Sequence, residues 1–451
     1  MIHNDIRILD LHHSACDEIV FNKEWLLEAL PEGHEKGGII RVLYYADSIL
    51  TCIYRSRSTN YLIVLSTLPE WSSKRILTIC ELDSTKLIFS RNNKTHLYYG
   101  TWSELNRDDN QLKWAIYCIN LVTQKKHPKI ILYNLTGSDI DIEICFELHN
   151  NYFYALSTLP LADRGEVADV SVYQCWRVCL ELPQNRVIKT DDRYMWRRDH
   201  VKEGPLDNRW ASLHLEVNEK TGELNIVEIR RACGEESKPC CYITPVIFLD
   251  NLGSLSFQQL PQTQPRFYVT TNSTDFEIHS HYYHSSSNTH IDLVKDLRSS
   301  NSYLCICAES RRLRPSEGPD IAVKEIYQVR YWPRPQNSKS EIQHVDTFHH
   351  LLDSSLHVGK VKGTMDGRCL VYSIGDHPKT LVVIGFDPGM RLEGIEQWKK
   401  QSKRRGHTAV EKLQLDGNMD TNVDDQQKKT ENIRKERAMY QDINAGVHFC
   451  S

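Results

Sequence analysis

His279-Ser280-His281-Tyr282-Tyr283-His284 is the densest grouping of metal-type ligands in the chain. On an extended strand alternate residues share a face, so His279 and His281 would project together, as a pair of zinc ligands must. His284 falls on the other parity, and no Cys or carboxylate completes a recognisable set around them. The same residues also read as polar histidines beside a Ser-rich loop. His12-His13 and His349-His350 add no better spacing. The 14 cysteines form no zinc knuckle. Cys240-Cys241 and Cys305-Ile306-Cys307 lack the two-residue gap, and Cys175 with Cys179 has no second pair. Most cysteines, among them Cys52, Cys80, Cys118 and Cys145, sit inside apolar runs and read as reduced core residues. A Gly-x-Ser-x-Gly elbow, a phosphate-binding loop and a His-Glu-x-x-His helix are all missing from the sequence. The residues therefore nominate no catalytic group, no metal and no cofactor.

Two other clusters invite a binding role. Met195-Trp196-Arg197-Arg198-Asp199-His200 and Glu203-Gly204-Pro205-Leu206-Asp207-Asn208-Arg209-Trp210 combine two Trp with three Arg around a Gly-Pro turn. Trp and Arg are favoured anchors of protein interfaces, and loops on a rigid scaffold commonly carry recognition. Trp196, Arg197, Arg198, Arg209 and Trp210 are thus the candidate interaction surface. The competing reading has both Trp packing the scaffold with the Arg side chains stacked on them. The basic run Lys399, Lys400, Lys403, Arg404 and Arg405 is a candidate nuclear localisation signal, or else a solvated helix face.

The elements that must position these residues are strands. Leu97–Gly100, Lys113–Ile119, Ile130–Tyr133, Ile144–Leu148 and Tyr152–Leu156 are apolar or aromatic runs of strand length, separated by polar turn residues. Comparable runs cover Ile39–Tyr45, Ser48–Tyr54, Tyr61–Leu65, Ile76–Leu82 and Leu87–Ser90. Further ones lie at Tyr173–Leu180, Trp210–Val217, Glu223–Arg230, Phe267–Thr271, Phe276–Tyr283, Tyr303–Ala308, Ala322–Tyr331, Cys369–Ile374 and Thr380–Phe386. Glu219-Lys220-Thr221-Gly222 marks a hairpin. Leu26–Leu30, before Pro31, is a short helical candidate. So many short strands in series predict an all-β chain, and the length favours a β-propeller-like array over a sandwich or small barrel, with the blade number open. Residues 1–390 form this expected domain. Residues 391–451 read as a charged tail, partly helical or disordered, with a weak helical pattern over Gln426–Asn444. Arg311–Asp320 and Pro333–Ile342 read as surface loops.

The chain's 451 residues are 40% hydrophobic and 25% charged, with net charge −4, which suits a globular protein and gives no electrostatic pull toward nucleic acid or anionic membrane. No apolar run approaches the roughly 20 residues of a spanning helix, and the N-terminus lacks a signal-peptide pattern. Cytoplasm or nucleus is the expected location.

At these same strands the chain resembles a family of fungal F-box proteins. The motifs are Ile8–Ser14 (Ile-Leu-Asp-Leu-His-His-Ser), Val42–Asp47 (Val-Leu-Tyr-Tyr-Ala-Asp) and Tyr98-Tyr99-Gly100. With them go Cys145–Leu148 with Tyr152–Ser157, Met195–His200 with Gly204–Trp210, and a fainter match at Ile384–Gly389. The resemblance implies a propeller-like region that holds a degradation target, C-terminal to an F-box that docks on the linker subunit of an SCF ubiquitin ligase. An F-box is a helical segment with an early Leu-Pro pair. This chain enters the post-F-box region by Ile8, and its Leu30-Pro31 follows the first β-like run, so the F-box is expected to be missing here. Linker docking is then expected only if an upstream F-box exists. The function expected is a non-enzymatic interaction module of unknown protein target. The alternative is a propeller lectin or hydrolase acting on a carbohydrate or small ligand.

Overall fold

The computed structural model describes residues 5–10, 14–32, 37–68, 75–84, 86–106, 110–161, 170–181, 187–190, 195–207, 211–218, 221–233, 240–248, 266–268, 276–284, 289–297, 304–314, 324–332, 361–365, 369–374, 381–385, 396–397, 433–437 and 441–442. These residues are overwhelmingly strand, in a series of small sheets. Antiparallel four-stranded sheets built from consecutive strands recur along the chain. One runs through Ile39–Ala46, Ile49–Arg55, Asn60–Ser66 and Ile76–Glu81. The next comprises Ile88–Asn92, His96–Leu105, Leu112–Asn120 and Ile130–Ile131. This is the order in which a propeller lays down its blades, so the all-β, propeller-like expectation holds.

The chain groups into two compact units. One comprises Tyr44–Ile49 and Leu82–Ile384, the other Met1–Leu43, Leu50–Glu81 and Gly385–Ser451. In the first, the 88–131 sheet is followed by a sheet of Ile144–His149, Tyr152–Leu161, Val170–Cys179 and Val187–Lys189, to which Trp196–Asp199 adds beside Val170–Cys179. Then come the 212–268 sheet, the 276–332 sheet and a three-stranded sheet of Val361–Met365, Cys369–Ile374 and Leu381–Gly385. First strands pack on first strands: Ile88–Asn92 on Ile144–His149, Ile144–His149 on Ser212–Val217, and Phe276–His284 on Val361–Met365.

Apolar faces between sheets supply the cohesion. Phe89, Tyr98, Trp114, Phe146, Phe153 and Trp176 join the 88–131 and 144–199 sheets. Phe89 stacks on Phe146 with ring centroids 3.7 Å apart, and Tyr98 stacks on Phe153 at 4.4 Å. Gly100 lies directly opposite Phe89 in register, and a Cβ there would strike the Phe89 ring. Its place in the Tyr98-Tyr99-Gly100 motif therefore has a packing cause. Cys145, Leu156, Tyr173, Met195, Leu213 and Phe248 close the next interface. Each fully buried side chain of this size contributes about 1.5–3 kcal/mol.

In the other unit Asn22 caps the helix Lys23–Glu28, its Oδ1 accepting from Glu24 N at 2.7 Å and Trp25 N at 3.2 Å. The helix buries Leu26 against Phe21, Leu50, Tyr54 and Ile63. The helical expectation for the tail is corrected at its described residues. Ile433–Arg437 is a strand antiparallel to Ser14–Phe21, with Asp17 opposite Arg437 and Phe21 opposite Ile433. An open strand edge offers a row of backbone partners, and that outweighs a weak helical pattern. The expected loop at Arg311–Asp320 is corrected in part, since the strand Leu304–Arg314 runs four residues into it. Among the described residues no helix is long and apolar enough to cross a membrane.

Candidate functional site

The 195–207 motif folds into a polar clasp between two sheets. Trp196–Asp199 pairs with the start of Val170–Cys179, which aims Arg197 and Arg198 inward. Asp199 is extended and accepts hydrogen bonds from Val201 N and Lys202 N, both at 3.1 Å, starting the turn His200–Glu203. Gly204 ends it at φ +67°, a backbone state that glycine enters without steric cost. Its carbonyl accepts from Arg198, and Asp207 pairs with Arg231.

Glu228, on the 212–268 sheet, is the hub. Its carboxylate accepts from Arg197 Nε at 3.1 Å and from Arg197 Nη2. Oε2 also accepts from Arg230 Nη1 and from the Tyr173 hydroxyl, each at 2.6 Å. Arg230 lies over the Tyr242 ring at 3.5 Å, donates to Arg197 O at 2.8 Å, and pairs with Glu203 Oε2 at 3.2 Å. The side chains of Glu228 and Arg230 are each 1% exposed. Burial alone would push the Glu228 carboxyl up, but Arg197 and Arg230 pull it down to about 2. Burial, then Glu228, drives the Tyr173 phenol far above its usual range. A general base or acid needs a free lone pair or proton poised near the working pH. Glu228 has neither property, so the cluster holds shape rather than moving protons. Two guanidinium groups and two carboxylates neutralise one another, which a buried ionic cluster requires.

Arg197 and Arg198 are therefore corrected as surface anchors. They are 8% and 2% exposed, and their guanidinium groups serve Glu228 and the Gly204 carbonyl. The turn presents Val201, 74% exposed, and Lys202, whose side chain is 83% exposed. The Trp196 side chain, Arg209, Trp210 and the basic residues Lys399, Lys400, Lys403, Arg404 and Arg405 lie outside the described residues. Glu228 and Arg230 escaped the sequence reading. The available signal was charge at the parity of Leu224 and Ile226 on one strand.

A second polar seam follows the first strands. The Arg91 guanidinium sits 4.8 Å over the Tyr44 ring, donates from Nε to Phe146 O at 2.8 Å, and lies 3.7 Å from Glu147 Oε2. Burial pushes the Glu147 carboxyl up, against the pull of Arg91, and His214 acts on it from the next first strand. Burial and Glu147 raise the Tyr44 phenol to about 12.

The histidine run is split. A register shift between Ile278 and Ser280 makes His279 the extra residue of a bulge, so it has no partner position on Thr289–Asp296. His281 instead faces Asp292 in register and approaches the His290 ring, centroids 6.4 Å apart. His290 Nε2 meets Asp292 Oδ1 at 2.7 Å. Among the described residues no three His, Cys, Asp or Glu side chains are grouped to hold a metal ion.

No family model matches the chain, and no curated protein matches it. Solved structures do. The WD40 domain of SCAP from fission yeast is 11% identical over 85% of this chain and 82% of that one, at a TM-score of 0.35. Drosophila Semaphorin 1a, extracellular domains 1-2, is 10% identical over 85% and 86%, at 0.37. Drosophila Semaphorin 2a is 10% identical over 84% and 74%, at 0.35. Likeness at this level carries no inference about activity or partners, and the fold class rests on the sheet topology itself.

Proposed function

We propose that this chain is a non-enzymatic protein-interaction module, corresponding to the substrate-binding half of a fungal F-box protein. One observation carries the reading: the charges of the Glu228 cluster are spent on other residues of the same chain. Glu228, Arg197, Arg230 and Glu203 close on one another and leave no group set for turnover. Such a cluster supports a stiff platform, and the capped turn offers Val201 and Lys202 to a partner. The target in this reading is a protein, met in cytoplasm or nucleus. The SCF linker subunit is a second partner only for a form that carries an F-box upstream.

Proximity labelling from the tagged chain in a fungal host tests this, with Val201→Glu/Lys202→Glu as control. A discrete protein set that the double variant loses supports recognition at the turn, and an unchanged set refutes it. Recovery of the SCF linker subunit among the labelled proteins supports the ligase part. Its absence while the target set persists removes that part.

A further inference from the structure

The 212–268 and 276–332 sheets meet through a contact that is half apolar and half titratable. In the apolar half Tyr283 packs on Val227, Ile229 and Cys241, with Ile243 alongside. The other half lies on the same face of the 276–332 sheet. His281 stands opposite Asp292, and Tyr283 opposite His290. Asp292 in turn stands opposite Cys307, and His290 opposite Glu309. His290, Asp292 and Glu309 are all within 1% of full burial. From the other sheet His214 reaches His281 electrostatically.

We propose that this seam is a proton-sensitive joint, in which uptake of a proton by His281 weakens the packing of the 212–268 sheet on the 276–332 sheet.

The two histidines of the 276–332 sheet have opposite environments. Burial disfavours a charged His290, but Asp292 and then Glu309 overcome it and raise its imidazole. His281 gets no such surplus. Burial lowers it most, Asp292 opposes, and His290 and His214 lower it further, to about 4. Val361–Met365, packed along the same first strand, brings Lys362 as its charged residue and no counter-anion. Among the described residues His290 Nδ1 is buried without a hydrogen-bond partner, while the Asp292 carboxylate is already engaged by His290 Nε2. A protonated His281 is relieved by parting the sheets and letting water in.

The sign follows. The folded value of His281 lies below the ordinary 6.5, so its destabilisation grows as pH falls from about 6.5 to about 4. Between pH 7.5 and 5.0, His281 alone would make local opening about 30-fold more populated. His290 works the other way, adding stability as it protonates, so removing it takes away that offset and also one of the smaller influences that lower His281.

Hydrogen exchange of the full chain by mass spectrometry, corrected for intrinsic chemistry, tests this at the two pH values. Peptides over Phe276–His284, Thr289–Asp296 and Ser212–Val217 should open at least threefold more at pH 5.0, the His281 effect less the part that His290 offsets. Peptides over the Ile39–Glu81 sheet, which holds no histidine, should change less than threefold. In His281→Gln the seam's ratio should fall below threefold, whereas His290→Gln should keep it at tenfold or more. A variant that is loosened at both pH values still reports through its own ratio. A wild-type seam insensitive to pH, or a full response that survives in His281→Gln, overturns the proposal.

Discussion

Glu228→Gln should be the most damaging conservative change in the 144–268 region. Gln keeps the shape but removes the charge facing Arg197 and Arg230, and it turns an NH2 toward donors. Arg230 retains Glu203, but among the described residues the Arg197 guanidinium has no acceptor other than Glu228. Removing one partner of a buried ion pair costs about 3–5 kcal/mol. A second route gives a similar size. At 1.36 kcal/mol per pH unit, holding the carboxyl from 4.5 down to about 2 is worth roughly 3 kcal/mol. Because the folded value is depressed, that stability is complete above about pH 4.5 and is lost as pH falls toward 2. Urea unfolding followed by tryptophan fluorescence, with Trp114 and Trp176 buried in the same unit, reads the difference. At pH 7 the variant should lose about 3–5 kcal/mol, and at pH 3 the gap should narrow by about 2 kcal/mol. Other carboxylates are common to both proteins and cancel. A gap below about 1 kcal/mol at pH 7, or one that pH 3 leaves unchanged, would show that the cluster does not hold these sheets together.

Tyr173→Phe removes one donor from the same carboxylate and should cost about 1.5–3 kcal/mol in the same assay. Gly100→Val should displace the Phe89 ring and cost about 1–3 kcal/mol by overpacking, seen as a lower thermal midpoint. Phe153→Ala empties the stack with Tyr98 and should cost about 3–5 kcal/mol. Asp199→Ala should speed amide exchange at Val201 and Lys202 and cost about 0.5–2 kcal/mol in the urea assay, since the turn it caps also carries Glu203 to Arg230.

The strands from Ile39 to Tyr154 were legible because the faces between sheets demand aromatic and β-branched residues, and those residues mark themselves. Thr289–Asp296 was not, because His290 and Asp292 occupy buried positions and interrupt the apolar run. The strand Ile433–Arg437 depends on a backbone edge more than 400 residues away, which no local window contains. At the clasp the motif was legible and its direction was not. Whether Arg197 faces water or core is decided by Glu228, on a different sheet, and the residue types at 195–200 are the same in either case.

The pairing of Ser14–Phe21 with Ile433–Arg437 bears on synthesis. Between emergence of Phe21 and of Ile433 the ribosome adds 412 residues, a wait of roughly 20–80 s at 5–20 residues per second. Throughout that interval the nascent hairpin has an uncapped flank that other polypeptides can template on. Stop codons or proteolytic nicks that remove 433–437 should leave that flank open permanently, so truncated products should self-associate even where every later sheet has formed.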